Sequence, residues 1–433
     1  MTVTPTYPGV YIEEDASRSI SVSHAATAIP VFIGVFRRLD GVALSSGQCI
    51  PVNSWLDFSS AYMTLPDVSV AFTSTEDTEE YTYTWTVNAG FNPLSIQSYF
   101  QNGGGPCYLL PLINPASSIE LAALPEAITK ESDITLLVSV YSSTDEQTAV
   151  YSSINSLLKN EPGYFLLADS TDGSRVPSTE PMKTAVYYPK VSVRASRPAD
   201  TAIAVSGYKD PLHPDGGEIT TLDMLNTANP AQYALVSADI DSLLAKAPVS
   251  PAATLAGVYC TNDRNRGVWK SPANMAITGI SGITELVSDN AQADMNNKGI
   301  NVIRYFPDRG YLVWGARTLA GTQANSDLRW RYISVRRLFN SAERDIRSAM
   351  QALTFEPNSQ PTWQKASNAI ENYLYDLWRQ GALAGATPEE SYSVQIGLGS
   401  TMTQEQINQG QMIASVGIAA ARPAEFIILQ FTQ

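Results

Sequence analysis

Four kinds of residue in this chain could do chemistry by type and spacing: a glycine run, two histidines, paired acids and a band of arginines. Gly103-Gly104-Gly105 could cradle a phosphate, but that requires the run to open a helix and a Lys-Ser/Thr pair to follow. Here it follows a helical pattern and no such pair comes after, so it reads as a helix stop. His24 and His213 are the only histidines, too few for a multi-histidine zinc or iron centre. Asp210-Pro-Leu-His213-Pro-Asp215-Gly-Gly carries metal-ligand types, yet its prolines and glycines are those of a surface turn. No G-x-S-x-G elbow supports a Ser-His-Asp triad. Asp145-Glu146 and Glu389-Glu390 fall near predicted helix starts or loops, where the helix dipole accounts for them. No catalytic set emerges, and no cofactor or metal is implied.

The arginines are different. Between 301 and 350 there are nine (304, 309, 317, 329, 331, 336, 337, 344 and 347), no lysine, and four acids. That segment is +5 within a chain of net charge −14. Arginine without lysine suits buried or interfacial carboxylate pairing better than solubility alone, because the guanidinium fork matches a carboxylate in two-point contact. The overall negative charge argues against nucleic acid or an anionic membrane as partner.

The elements that must position these residues follow an α/β rhythm. Apolar runs at 29–36, 107–113, 134–140 and 164–168 read as buried strands. Helices are predicted at 93–101, 117–129 and 144–160, the last with Thr144 as N-cap. Alternation of this kind builds a mostly parallel or mixed sheet covered on both faces. Two excursions interrupt it: 63–90, with a Tyr/Thr/Trp alternation typical of an exposed hairpin, and the Pro/Ser/Gly/Asp-rich 170–218.

Toward the C-terminus a helix at about 336–353 places Leu338, Ala342, Ile346, Ala349 and Leu353 on one stripe. Arg337, Asn340, Arg344, Arg347 and Gln351 lie on a polar stripe facing away. A second helix, 363–380, buries Trp363, Ala366, Ile370, Leu374 and Leu377, with Thr362 as N-cap and Gly381 as its stop. Thr403 and Gln406 form a capping box. At the two ends, Val10-Tyr11-Ile12 is a strand with no local partner, and Glu425–Thr432 is apolar on both faces. Each needs a distant or foreign strand to satisfy its backbone. Cys49, Cys107 and Cys260 are far apart and form no CxxC pair, so they read as buried thiols. No apolar run is long enough to span a bilayer, and the N-terminus lacks a secretory pattern.

Several long stretches resemble the tail sheath proteins of contractile injection machines. These are YPGVYIEE (7–14), TAIPVFIGVF (27–36), FNPLSIQSYFQNGGGPCYLLPL (91–112), TLAGVYCTNDRNRGVWKSPAN (254–274) and GINVIRYFPDRGYLVWGARTL (299–319). RYISVRRLFNSAERDI (331–346), FEPNSQPTW (355–363) and ENYLYDLWRQGAL (371–383) complete the pattern. The family includes the sheaths of contractile phages, R-type bacteriocins and extracellular particles of the antifeeding-prophage and Photorhabdus-virulence-cassette type.

The resemblance implies an α/β (mixed α+β), multi-domain subunit: a mixed sheet covered by helices, with extended N- and C-terminal strand arms. Its expected organisation is an arm at 1–25, an outer and middle domain at 26–265 with insertions near 60–90 and 170–220, a tube-facing domain at 266–418 and an arm at 419–433. It implies a structural role, not an enzyme: subunits stack as hexameric rings around an inner tube and contract to drive that tube through a target envelope. Neighbouring subunits would exchange strands through Val10, Tyr11, Ile12, Phe426, Ile427, Ile428 and Leu429. Arg337, Arg344 and Arg347 are the candidate tube contacts, ahead of Lys365 and Arg379 on the next helix. Implied partners are further copies, the inner tube, baseplate and cap proteins and sheath paralogues, without nucleic acid or membrane insertion. Assembly is expected in a bacterial cytoplasm, with release in an extracellular particle or phage tail. The alternatives are a cap or terminator of the same machine, or a soluble α/β hydrolase.

Overall fold

The computed structural model describes residues 21–77, 80–209, 218–322 and 327–425. Of these, the residues up to Ala25 and Ala342–Ala421 form one unit, while Ala26–Ser341 and the residues from Arg422 form the other. The strand pieces Val10, Tyr11, Ile12 and Phe426, Ile427, Ile428, Leu429 lie outside the described residues.

The larger unit is built on an eight-stranded sheet, ordered Gly310–Trp314, Ile300–Phe306, Thr184–Tyr188, Phe165–Asp169, Leu136–Ser139, Pro30–Gly34, Cys107–Pro111, Ile50–Val52. The inner strands run parallel, and the two edge strands run antiparallel to their neighbours. Parallel strands buried on both faces explain why these segments read as unbroken apolar runs. Successive residues still point to opposite faces. Phe32, Leu136, Val138, Leu167 and Tyr187 enter one core with the helices Asn92–Gln101 and Pro251–Arg266. Val31, Ile33, Leu137, Leu166 and Val186 enter the other, with Ser118–Thr129 and Thr144–Asn160.

The helix Pro251–Arg266 has no amphipathic period because it is buried nearly all round, from Pro251 to Cys260. It crosses the helix Asn92–Gln101 so closely that a Cβ on Gly257 would fall 2.2 Å from the Tyr99 carbonyl oxygen. The expected hairpin is present as Asp67–Asp77 and Glu80–Gly90. Along its second strand Thr82, Thr84 and Thr86 are exposed while Tyr83, Trp85 and Val87 are half-buried, so only one face meets solvent. Trp85 Nε1 donates to Asp239 at 2.9 Å, tying the hairpin to the helix Pro230–Ala245.

In the smaller unit the helix Gln360–Arg379 buries Trp363, Ala366, Ile370, Leu374 and Leu377, as their spacing predicts. Its N-cap is Ser359, not Thr362, because Pro361 is already compatible with the first turn. Likewise Ser143, not Thr144, caps the helix Thr144–Asn160. Gly381 ends the helix with φ +80°, and Thr403 with Gln406 forms the capping box. A two-stranded antiparallel sheet, Tyr392–Ile396 with Ala414–Ile418, completes the unit.

Candidate functional site

The residues that could have done chemistry are closed off by packing. Gly105 N–H donates to the Tyr99 hydroxyl at 3.0 Å, and a Cβ on Gly103 would fall 2.0 Å from Thr261 Oγ1. The run is a packed helix stop and not a phosphate cradle. His24 lies against the Tyr373 ring, 4.6 Å between centroids, and His213 is outside the described residues. Asp145 and Glu146 occupy the first turn of their helix, and Glu389 and Glu390 that of Pro388–Ser391. Burial pushes the Cys49 thiol up to about 12, which leaves it unreactive. Among the described residues no group of His, Cys, Asp and Glu is placed to hold a metal ion. In the described chain no helix is long and apolar enough to cross a membrane.

Asp169 is the one carboxylate at the C-terminal end of a central strand, a position where an α/β enzyme would place a reacting group. It is only 5% exposed. Its oxygens accept from Ala252 N at 2.9 Å and Gln147 Nε2 at 3.2 Å. Burial raises its pKa to about 6 even though these donors favour the charged form. The group is a joint between the sheet and the N-terminus of the helix Pro251–Arg266.

The arginine band divides into internal and exposed members. Arg337 was expected on a solvent-facing stripe, but its side chain is 3% exposed and that of Asp263 6%. The guanidinium donates to both Asp263 oxygens, at 3.0 and 2.6 Å, and to the Thr27 carbonyl at 2.9 Å. It also lies 4.7 Å from the Tyr259 ring centroid. Asn340 is buried as well and donates to the Tyr164 carbonyl. The polar stripe therefore turns inward at this end of the helix Ile333–Met350, where Asp263 supplies the missing partner. Arg344, beside Asp345 at 3.6 Å, is 17% exposed in its side chain, and Arg347 is exposed.

Arg317, which the sequence did not single out, makes a second fork: Nε and Nη2 each donate to Glu425 at 2.8 Å. Nη1 donates to the Asn296 carbonyl at 3.0 Å, and Tyr332 donates to Glu425 Oε2 at 3.3 Å. Beside this pair lies a cavity of about 510 Å³, lined by Lys270, Asn274 and Trp314 on one side and Pro423 to Glu425 on the other. Its walls thus come from both of the motifs at 267–274 and 299–319.

Two features of the smaller unit mark surface for association. Among the described residues the sheet Tyr392–Ile396/Ala414–Ile418 has no third strand, and a lone two-stranded sheet is marginally stable in water. Phe355 is 102% exposed with φ +73°, a left-handed backbone that a bulky side chain adopts only under strain.

A doubly wound core without an open site, carrying unsatisfied association surfaces, defines a self-assembling structural protein. The comparisons agree. Residues 199–319 match the phage tail sheath protein central domain and 325–433 the phage tail sheath C-terminal domain. The chain belongs to the phage tail sheath family, whose members are structural proteins and not enzymes. It is 41% identical to the anti-feeding prophage helical sheath in its contracted state, over 99% of this chain and 100% of that one, with a TM-score of 0.73. A chain of the six-fold symmetrised anti-feeding prophage baseplate is 42% identical over 99% of both chains, at a TM-score of 0.72. The PVC sheath complex of an extracellular contractile injection system, also contracted, is 36% identical over 100% of this chain and 99% of that one, TM-score 0.68. A prophage major tail sheath protein of Pseudomonas aeruginosa (strain UCBPP-PA14) is 27% identical over 143 residues, 32% of this chain and 35% of that protein.

Proposed function

We propose that this sheath subunit polymerises as stacked hexameric rings around an inner tube and contracts to drive the tube through a target envelope. Assembly takes place in the bacterial cytoplasm and the particle is released. The observation that carries the reading is the two-stranded sheet Tyr392–Ile396/Ala414–Ile418, without further strands among the described residues. Strand addition from the arms of neighbouring copies, around Val10–Ile12 and Phe426–Leu429, satisfies its edges and the arms' own backbone groups together. A mesh joined in this way lets subunits slide and rotate without dissociating, as a transition between two polymer states requires.

Arg344 and Arg347 are the proposed tube contacts, and Arg337 is not, since its charge is matched internally by Asp263. Exposed ion pairs are individually worth about 0–1 kcal/mol, weak enough to break together at contraction. Phe355, strained and fully exposed, is the aromatic anchor we assign to a contact between copies. The test is removal of the arms. Deleting 1–18, or 426–433 while keeping Glu425, should leave a folded subunit that no longer forms long polymers in sedimentation and negative-stain images. Polymers of normal length from either deletion overturn the strand exchange.

A further inference from the structure

We infer that the Arg317–Glu425 fork is a register clamp for the C-terminal arm, and that the motifs at 267–274 and 299–319 exist in part to form its socket. The inference rests on the strand-exchange reading above. Glu425 is the last residue before the apolar run that begins at Phe426. Its carboxylate is held in two-point contact by Arg317, with side chains 9% and 17% exposed. A two-point fork admits one placement, so the residue after it leaves the subunit with a defined face up. That matters because a strand displaced by one residue presents every side chain on the wrong side.

The socket is itself held in one geometry. Asn301, buried in the strand Ile300–Phe306, accepts from Arg317 N at 2.7 Å and donates to Arg317 O at 2.8 Å. Gly315 lies so close to this strand that a Cβ would sit 2.7 to 2.8 Å from Asn301 atoms, its Cα included. Gln292 donates to the Trp314 carbonyl at 3.0 Å, and Ser271 Oγ lies 3.1 Å from Ser334 Oγ. The backbone on both sides of Arg317 is thus fixed before the arm base docks. A buried charge pair is a poor way to gain stability, since an apolar pair of the same volume serves as well. A pair retained at the one point where register is decided has a reason that stability does not supply. Shielded from solvent, it also resists screening by salt.

The test uses parity. Full-length chains carrying one or two glycines inserted between Glu425 and Phe426 are compared by their threshold concentration for polymerisation. One residue should raise the threshold roughly tenfold or more, and two should restore it to within about threefold, because strand side chains alternate with period two. In Glu425→Gln the threshold should rise and the difference between one and two insertions should vanish. Arg317→Lys, which keeps the charge without the fork, should do the same if the glutamine chain fails to fold. Equal thresholds for one and two insertions in the wild-type background overturn the clamp, as does a Glu425→Gln chain that keeps the parity difference. Normal polymers from the 426–433 deletion would instead overturn the strand exchange itself.

Discussion

Arg337→Met isolates what the buried fork contributes. The substitution keeps most of the side-chain volume and removes the cation, leaving Asp263, whose side chain is 6% exposed, with the Thr27 hydroxyl at 2.5 Å and Asn262 at 3.3 Å. A carboxylate stranded in this way costs about 3–5 kcal/mol. At about 2 °C per kcal/mol, the low end for a unit of this size, the melting midpoint should fall by roughly 6–10 °C. The double variant Arg337→Met/Asp263→Leu removes both charges and should recover most of that loss, because a buried pair is close to neutral against an apolar replacement. The assay is thermal unfolding of the isolated full-length subunit below its polymerisation threshold, at pH 7 and again near pH 4.5. At the lower pH the stranded carboxylate of the single variant takes up a proton, so its deficit should shrink. A single variant within about 1 kcal/mol of wild type, or a double variant worse than Arg337→Met alone, would refute the claim that the pair is desolvated and matched.

Asp169 sets a pH dependence. Its folded pKa of about 6 lies above the ordinary carboxylate value, so its contribution is present below pH ~4 and is lost as pH rises through 6; Asp169→Asn should flatten the urea midpoint between pH 4 and 6. Gly257→Ala should cost about 3 kcal/mol, the upper end for overpacking, since the added carbon meets a backbone oxygen that cannot turn away; chemical denaturation reads it directly. Phe355→Gly should leave the subunit as stable as wild type or up to about 2 kcal/mol more so, by relieving left-handed strain, yet weaken polymerisation; unchanged polymers would remove Phe355 from the interface. Charge reversal at Arg344 with Arg347 should leave a soluble, folded subunit but give bare tubes or empty contracted sheaths, whereas intact extended particles would exclude a tube contact.

How much of this was legible depends on where each signal's partners lie. Strands such as Pro30–Gly34 and Phe165–Asp169 read directly, because burial on both faces leaves apolar runs that nothing else explains. The helix Gln360–Arg379 read from its period because one face is buried and the other is not. Pro251–Arg266 has no period to read, being enclosed on nearly all sides. The caps moved by one to three residues where a neighbouring serine was available, which is the usual uncertainty of helix ends. The band of arginines correctly signalled carboxylate pairing, but not which arginines. The partner of Arg337 is 74 residues away and that of Arg317 108 residues away, so only the folded sheet brings them together.

The positions of the two forks give the arginine band a common logic. Arg337 with Asp263 holds Thr27, just after the described chain passes from one unit to the other at Ala25. Arg317 holds Glu425, just after it passes back at Ala421. A sheath that moves by pulling on strands shared between copies needs each strand's base fixed to its own subunit more firmly than the shared contacts yield. Exposed pairs such as Arg37–Asp67, with side chains 61% and 56% exposed, are screened and exchange readily. The forks at the two arm bases are instead enclosed and two-pointed, so load applied to an arm meets the fold of the subunit before it meets a bond that water can replace.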